Sequence, residues 1–154
     1  SPLLNLALVE RLDLLEAQFE AVTVPEQVWT ELAAGEDGLV ALRALRSQGF
    51  LVVEGVDHDD LFVELARELD LGEAAAIRYA IENDTDLVLL DEREGRKAAR
   101  RHGLEVTGVV GILLRGAEDG VVDLRLELDR LRTAGFWISD DLYAEVLDRG
   151  DSGE

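Results

Sequence analysis

The feature that most constrains the fold is an unbroken apolar run at residues 87–90 (Leu-Val-Leu-Leu), bounded by Asp86 and Asp91. A strand without polar residues on either face is typical of a parallel sheet covered by helices on both sides. Segments with helical spacing separate this run from three other strand-like runs, at residues 21–24, 50–53 and 104–106. The alternation predicts an α/β fold of three layers, α/β/α, with a central parallel sheet.

The size and composition of the chain fit one domain. It has 154 residues, of which 47% are hydrophobic, enough for a substantial core. We place the domain at residues 1–149 and expect residues 150–154 to form a loose tail. The apolar stretches are shorter than the ~20 residues that cross a bilayer, and no signal peptide is recognisable, so a cytoplasmic protein is expected. The absence of cysteine excludes disulfides, thiolate metal sites and cysteine nucleophiles.

The charge balance is strongly acidic. Asp and Glu number 34 against 15 basic residues, a formal net charge of −19, and Lys97 is the only lysine. This composition fits a halophilic cytoplasm, because the Debye length falls to ~3 Å at 1 M salt and repulsion is screened. The alternative is a GC-rich genome with ordinary acidity. At molar salt the negative charge does not exclude a nucleic-acid partner.

Three acidic residues stand at positions suited to a site. Asp91 directly follows the apolar run and belongs at the carboxyl edge of the sheet, where ligands bind in such folds. Glu31 and Glu73 each lie beside the apolar face of a predicted helix. The alternatives are a rim carboxylate for Glu31 and, for Glu73, a helix-start carboxylate favoured by the helix dipole. If the three converge, they would hold one hard cation, Mg²⁺ or Mn²⁺, and activate water.

The helix after Asp91 is rich in basic residues, and four of them share one face: Arg93, Arg96, Lys97 and Arg100. On an acidic protein this face forms an island of positive charge suited to phosphate groups. The alternative is a solvated face held by ion pairs such as Glu92 with Arg96.

Two other features have simpler interpretations. The acidic segment at residues 57–60 precedes a helix, where such residues act as caps. The aromatic residues are scattered and predict no stacking platform for bases. Near the last helix, Phe136, Trp137 and Tyr143 either support a dimer interface or fill the core.

Five segments of the sequence form a recognisable set of motifs. They are Ser-Pro-Leu-Leu-Asn-Leu-Ala at 1–7, Val-Pro-Glu-Gln-Val-Trp-Thr-Glu-Leu at 24–32, Leu-Gly-Glu-Ala-Ala-Ala-Ile at 71–77, Leu-Leu-Asp-Glu-Arg-Glu-Gly-Arg at 89–96, and Gly-Phe-Trp-Ile-Ser-Asp-Asp-Leu-Tyr at 135–143. Taken together they resemble the PIN-domain family, in a subgroup long catalogued as a domain of unknown function and described as nucleic-acid-binding. The resemblance spans nearly the whole chain, and the motifs occur in the family's order.

The resemblance implies an acid cluster that binds Mg²⁺ or Mn²⁺. The family's second, third and fourth acids fall on Glu31, Glu73 and Asp91. Its first acid ends an opening strand just before the Ser-Pro-Leu motif, so we expect the first strand and its acid to be missing from this chain, which begins at Ser1.

The resemblance also implies a function. Many PIN proteins are nucleases of single-stranded RNA, including toxins paired with an antitoxin protein, and many form homodimers. We therefore expect a metal-dependent ribonuclease in which Glu31, Glu73 and Asp91 bind the metal and orient water, while the basic face approaches phosphate. The alternative is a non-catalytic PIN-like module that binds RNA or a protein partner.

Overall fold

The computed structural model describes residues 1–152, in which helices and short strands alternate as the sequence predicts. The four predicted strand runs are confirmed in order, with ends that differ by up to two residues. The elements are numbered in chain order. They are α1 (Pro2–Leu8), α2 (Asp13–Gln18), β1 (Val22–Pro25), α3 (Glu26–Ala34), α4 (Leu39–Ser47), β2 (Leu51–Glu54), α5 (Asp60–Ala66), α6 (Leu71–Asn83), β3 (Val88–Leu89), α7 (Arg93–Arg101), β4 (Val106–Thr107), α8 (Val109–Glu118), α9 (Leu124–Thr133) and α10 (Asp140–Ser152).

Side-chain caps explain several of the helix starts. The carboxylate of Asp59 accepts a hydrogen bond from the Phe62 amide (3.0 Å), and Asp70 accepts one from the Glu73 amide (2.8 Å). Each satisfies an amide that the helix itself leaves unpaired. The acidic segment at residues 57–60 therefore caps α5, as the sequence predicts.

The strands form two separate parallel pairs. β1 pairs with β2 from Val22↔Leu51 to Pro25↔Glu54, and β3 pairs with β4 through Val88↔Val106 and Leu89↔Thr107. These pairs confirm the α/β class with parallel strands. The predicted single central sheet is replaced, in the described residues, by two pairs, because a groove of about 650 Å³ lined by both β1 and β3 separates them.

The strand edges that face this groove carry backbone groups directed away from the existing partners. The amides of Val88 and Leu90 donate to β4 and its flank, and the amide of Val22 donates to Phe50 beside β2. Alternate residues of a parallel strand bond to opposite neighbours, so the amides of Leu89 and Thr23 point toward the groove. Both edges therefore offer hydrogen-bonding groups to a further strand.

Helices pack on both faces of β3. Val88 and Leu90 lie in an apolar core with residues of α5, α6 and α7, whereas Leu89 packs against a second core built from α1 to α4 and α8 to α10. Alternate side chains of a strand point to opposite faces, which assigns the two cores to opposite sides of the strand.

The chain's last described residues are helical. α10 extends to Ser152, into the segment expected from residue 150 to form a tail, and residues 153–154 lie outside the described residues. Gly150 packs closely there, because a Cβ atom at this position would meet Leu124 of α9 at 2.6 Å. Across residues 1–152, no helix has both the length and the apolar character needed to span a bilayer.

Candidate functional site

The groove between β1 and β3 is acidic at the end where the strands finish. Five carboxylates from different parts of the chain line it there: Glu31, Asp70, Glu73, Asp91 and Glu92, which we call the acidic edge. The three acids singled out from the sequence thus share one groove. Asp70 and Glu92 were missed as groove residues; both stand at the N-cap of an observed helix, α6 or α7, a position where acids are common in any case.

Asp91 is held by two hydrogen bonds from distant segments. Its Oδ2 accepts from the Asn5 side-chain amide (2.6 Å), and its Oδ1 accepts from the Val109 backbone amide (2.8 Å), at the first residue of α8. The positive end of the α8 dipole favours a negative charge there. Gly108 leaves room for this contact, since a Cβ atom there would lie 2.5 Å from Asp91 Oδ1.

Glu73 carries the clearest electrostatic signature of the acidic edge. Its side chain is half-buried, and burial, followed by the hydrogen bond and charge of Asp70 and the charge of Glu92, raises its pKa from 4.5 to about 8. Its Oε2 lies over Gly95 of α7, where a Cβ atom would collide with it. At neutral pH Glu73 therefore holds a proton that relieves repulsion between crowded carboxylates.

Glu31 approaches the same place from α3. A Cβ atom at Gly72 would lie 3.7 Å from Glu31 Oε1 and 3.5 Å from Asp70 Oδ1, so the two carboxylates flank this glycine. The Glu31 side chain is exposed, which agrees with a rim position. It also lines the groove, so its part in metal binding stays a prediction.

The acidic edge is not a preassembled metal centre. No group of three His, Asp or Glu side chains within residues 1–152 is arranged to hold an ion. Its chemistry nevertheless suits a hard divalent cation, which prefers carboxylate oxygens. A cation would offset the repulsion that the Glu73 proton now relieves, so the raised pKa of Glu73 is consistent with such a site.

A second groove, of about 1170 Å³, adjoins the acidic edge and is lined along α7 by basic side chains. They are Arg93, Arg96, Lys97 and Arg100, and we call this the basic groove. Ser1, Asp91 and Glu92 line both grooves, so the two meet at Asp91.

The basic side chains of α7 that line this groove form no ion pairs with acidic residues of the described chain. No salt bridge within 4.0 Å joins any of these four residues to an acid in the described part of the chain, and the alternative pair of Glu92 with Arg96 does not form. The Nε atom of Arg96 is buried without a hydrogen-bond partner among residues 1–152. These cations are therefore available to an anionic ligand.

The comparison with protein families identifies one match. A family model described as a PIN domain matches residues 1–152. Searches of curated proteins and of solved structures find no match to the chain.

Proposed function

The chain belongs to the PIN-domain family, and from this premise we propose that it is a divalent-metal-dependent ribonuclease that acts on single-stranded RNA. Membership supports a nuclease-like or nucleic-acid-binding role. One observation carries the finer proposal: the basic groove opens onto the acidic edge at Asp91, so a strand held by its phosphates would pass the carboxylates.

Each residue has a definite part in this proposal. Asp91, Glu73 and Glu31, assisted by Asp70, would bind Mg²⁺ or Mn²⁺. When bound, such an ion lowers the pKa of water and neutralises charge on phosphate. The bonds from Asn5 and Val109 keep Asp91 in one orientation. Glu73, whose pKa is raised to about 8, would have to release its proton to bind a cation.

The basic residues supply substrate binding. Arg93 and Arg96 lie nearest in sequence to Asp91, and their planar guanidinium groups suit bidentate contact with phosphate oxygens. Lys97 and Arg100 extend the same positive surface along α7. An RNA strand bound there would run along the helix, away from the acidic edge.

We extend the proposal to the sheet itself. A further parallel strand in the groove between β1 and β3 would join the two pairs into one sheet of a three-layer α/β/α fold. Ser1 lines the acidic end of this groove, so a strand running into Ser1 would be parallel to its neighbours, and an acid at its end would join the acidic edge.

Adding a strand tests this extension. Four or five apolar residues ending in aspartate, placed before Ser1, should raise the thermal midpoint and tighten Mn²⁺ binding. The same segment ending in asparagine should raise the midpoint but leave Mn²⁺ binding weak. If neither segment changes the midpoint, the groove does not accept a strand.

The second candidate function is a non-catalytic module that binds RNA or a protein partner. It is favoured by the lack of a preassembled ligand set among the described residues. A homodimer, an antitoxin partner, a cytoplasmic location and a halophilic source remain parts of the first proposal.

The deciding experiment measures RNA cleavage by the 154-residue protein. Labelled single-stranded RNA of mixed sequence should be cut with Mn²⁺ or Mg²⁺ and left intact with EDTA, in molar KCl so that repulsion by the net charge is screened. Asp91→Asn should abolish cleavage, whereas Asp57→Asn, which changes an exposed acid outside both grooves, should not. RNA that is bound but never cut with either metal would favour the non-catalytic module.

A further inference from the structure

The basic groove has a second wall opposite α7. It is formed by α8, α10 and the segment at residues 134–137, and it carries Arg115, Arg149 and Trp137. With the α7 residues, six cations line the groove against three acids, Asp91, Glu92 and Glu118. A net positive groove on a chain of formal charge −19 is a strong charge contrast, and it suits a polyanion.

The wall carries two aromatic residues, Phe136 and Trp137, and Trp137 is the one whose ring is exposed. The residue is 82% exposed, while its neighbour Ile138 is buried and Phe136 packs against the core. The anchored neighbours fix the backbone, and Gly135, at φ 105°, provides the turn that presents the ring. No ring or guanidinium stacks on Trp137 among the described residues, whereas Trp29 has Arg46 at 4.9 Å.

We propose that Trp137 stacks on an unpaired base of a single RNA strand whose phosphates are bound by the basic side chains on both walls of the groove. This inference rests on the proposed nucleic-acid role and adds a base-binding position to it. An aromatic ring stacks on a base face, and base faces are accessible in single strands but covered in a duplex. Stacking on Trp137 would favour single strands over a duplex, and the proposal departs from the sequence-based expectation that no aromatic residue offers a stacking platform.

A protein partner is the competing occupant of this wall. In a symmetric homodimer built on Trp137, the same patch would face itself. The cations around the ring would then be brought together in pairs of like charge, which costs energy at an interface. An RNA strand brings the opposite charge, so the charge distribution favours RNA.

RNA binding without cleavage isolates this inference. Fluorescence anisotropy of a labelled eight-nucleotide uridylate, measured with EDTA, should show an affinity lowered about 5- to 100-fold by Trp137→Ala, the range for loss of one base–aromatic stack. Val40→Ala changes a side chain that is 85% exposed on α4, outside the groove, and should leave the affinity unchanged. Binding to a duplex of the same length should not depend on Trp137.

Two further measurements test the arrangement. In a Trp29→Phe protein, Trp137 is the remaining tryptophan, and its emission should be quenched by the oligonucleotide. Arg149→Ala should reduce the slope of log affinity against log salt concentration by about 0.7, the value for one phosphate contact of a single strand. Arg43→Ala, an exposed arginine of α4 outside both grooves, should leave that slope unchanged.

The inference is overturned if RNA binds the wild type and Trp137→Ala equally, or if the wild type binds no RNA. It is also overturned if light scattering shows a dimer that Trp137→Ala dissociates without changing RNA affinity, since the ring then serves a second copy. A Trp137 effect without any cleavage would contradict only the nuclease proposal, and cleavage without a Trp137 effect would contradict only this inference.

Discussion

At the scale of single residues, the acidic edge combines two kinds of carboxylate. Asp91 is fixed by hydrogen-bond donors, whereas Glu73 lies close to other carboxylates. Each carboxylate oxygen of Asp91 accepts one hydrogen bond, Oδ2 from Asn5 and Oδ1 from Val109, and has a second lone pair left for another ligand. Glu73 has other carboxylates for neighbours and keeps a proton instead. The two residues therefore differ in their response to pH and to substitution.

The raised pKa of Glu73 predicts a pH dependence of stability. In the unfolded chain this carboxyl loses its proton near pH 4.5, but in the folded protein near 8. Between these values the folded state binds more protons, so the free energy of unfolding falls as pH rises and levels off above about 8.

Substitution of Glu73 isolates this contribution. Glu73→Gln should flatten the decline of the unfolding free energy between pH 5 and 8, measured by denaturant titration with EDTA present. The control is Glu64→Gln, an exposed residue of α5 that should leave the slope unchanged. If Glu73→Gln and wild type have the same slope, Glu73 is already ionised at neutral pH.

Sequence alone located part of this site. The place of Asp91 follows from the apolar run before it, and Glu31 and Glu73 follow from helical spacing. The hydrogen bond between Asp91 and Asn5 joins residues 86 positions apart. It depends on how α1 packs near α8, which no local sequence pattern encodes. Asp70 was missed, since a capping carboxylate and a groove carboxylate look identical in sequence.

At the scale of elements, a buried ionic contact ties α9 to the turn between α1 and α2. Glu127 of α9 is 2% exposed, and its Oε1 lies 3.8 Å from Arg11 Nη1 and 3.3 Å from Arg130 Nη1. Arg11 also donates a hydrogen bond to the Val121 carbonyl (3.2 Å), in the loop before α9. Arg11 is also paired with Asp13, whose Oδ1 lies 3.1 Å from Arg11 Nε, so Glu127 is the buried member of a shared ionic contact.

Removal of this contact should destabilise the protein. Glu127→Ala removes the buried side of this contact and opens a gap, while Arg11 keeps Asp13, so we expect a loss of about 1–2 kcal/mol in unfolding free energy. Urea denaturation measures it, with Glu64→Ala on the surface as a control expected to change stability by less than ~0.5 kcal/mol. Equal effects of the two substitutions would show that the buried pair contributes nothing.

Helices were easier to predict than the sheet, for a physical reason. Apolar spacing and caps are local, so the helices that carry Glu31 and Glu73, α3 and α6, follow from neighbouring residues alone. Pairing of strands depends on residues far apart in the chain, and the division into two pairs reflects the groove between β1 and β3. The sequence therefore predicts the strands but not their separation.

At the scale of the whole molecule, the net charge of −19 governs stability and partners. Carboxylates without partners repel one another at low salt, and screening reduces this repulsion as the Debye length shortens. Raising KCl from about 0.1 to 2 M should therefore raise the thermal midpoint, as measured by calorimetry or circular dichroism. A flat or falling midpoint would contradict the inference of a high-salt habitat.

The central prediction is that a divalent cation binds at the acidic edge. Electron paramagnetic resonance of free Mn²⁺ measures this directly, in molar KCl so that scattered surface carboxylates compete weakly. Asp91→Asn should remain folded, because the Asn5 amide can reverse and accept from the new amide while Val109 keeps an acceptor.

We predict saturable Mn²⁺ binding that Asp91→Asn and Glu73→Gln each weaken at least about tenfold, or ~1.4 kcal/mol, while Asp57→Asn leaves it unchanged. Equal Mn²⁺ affinity in all four proteins, with their folding intact, would contradict the assignment of the acidic edge as the metal site.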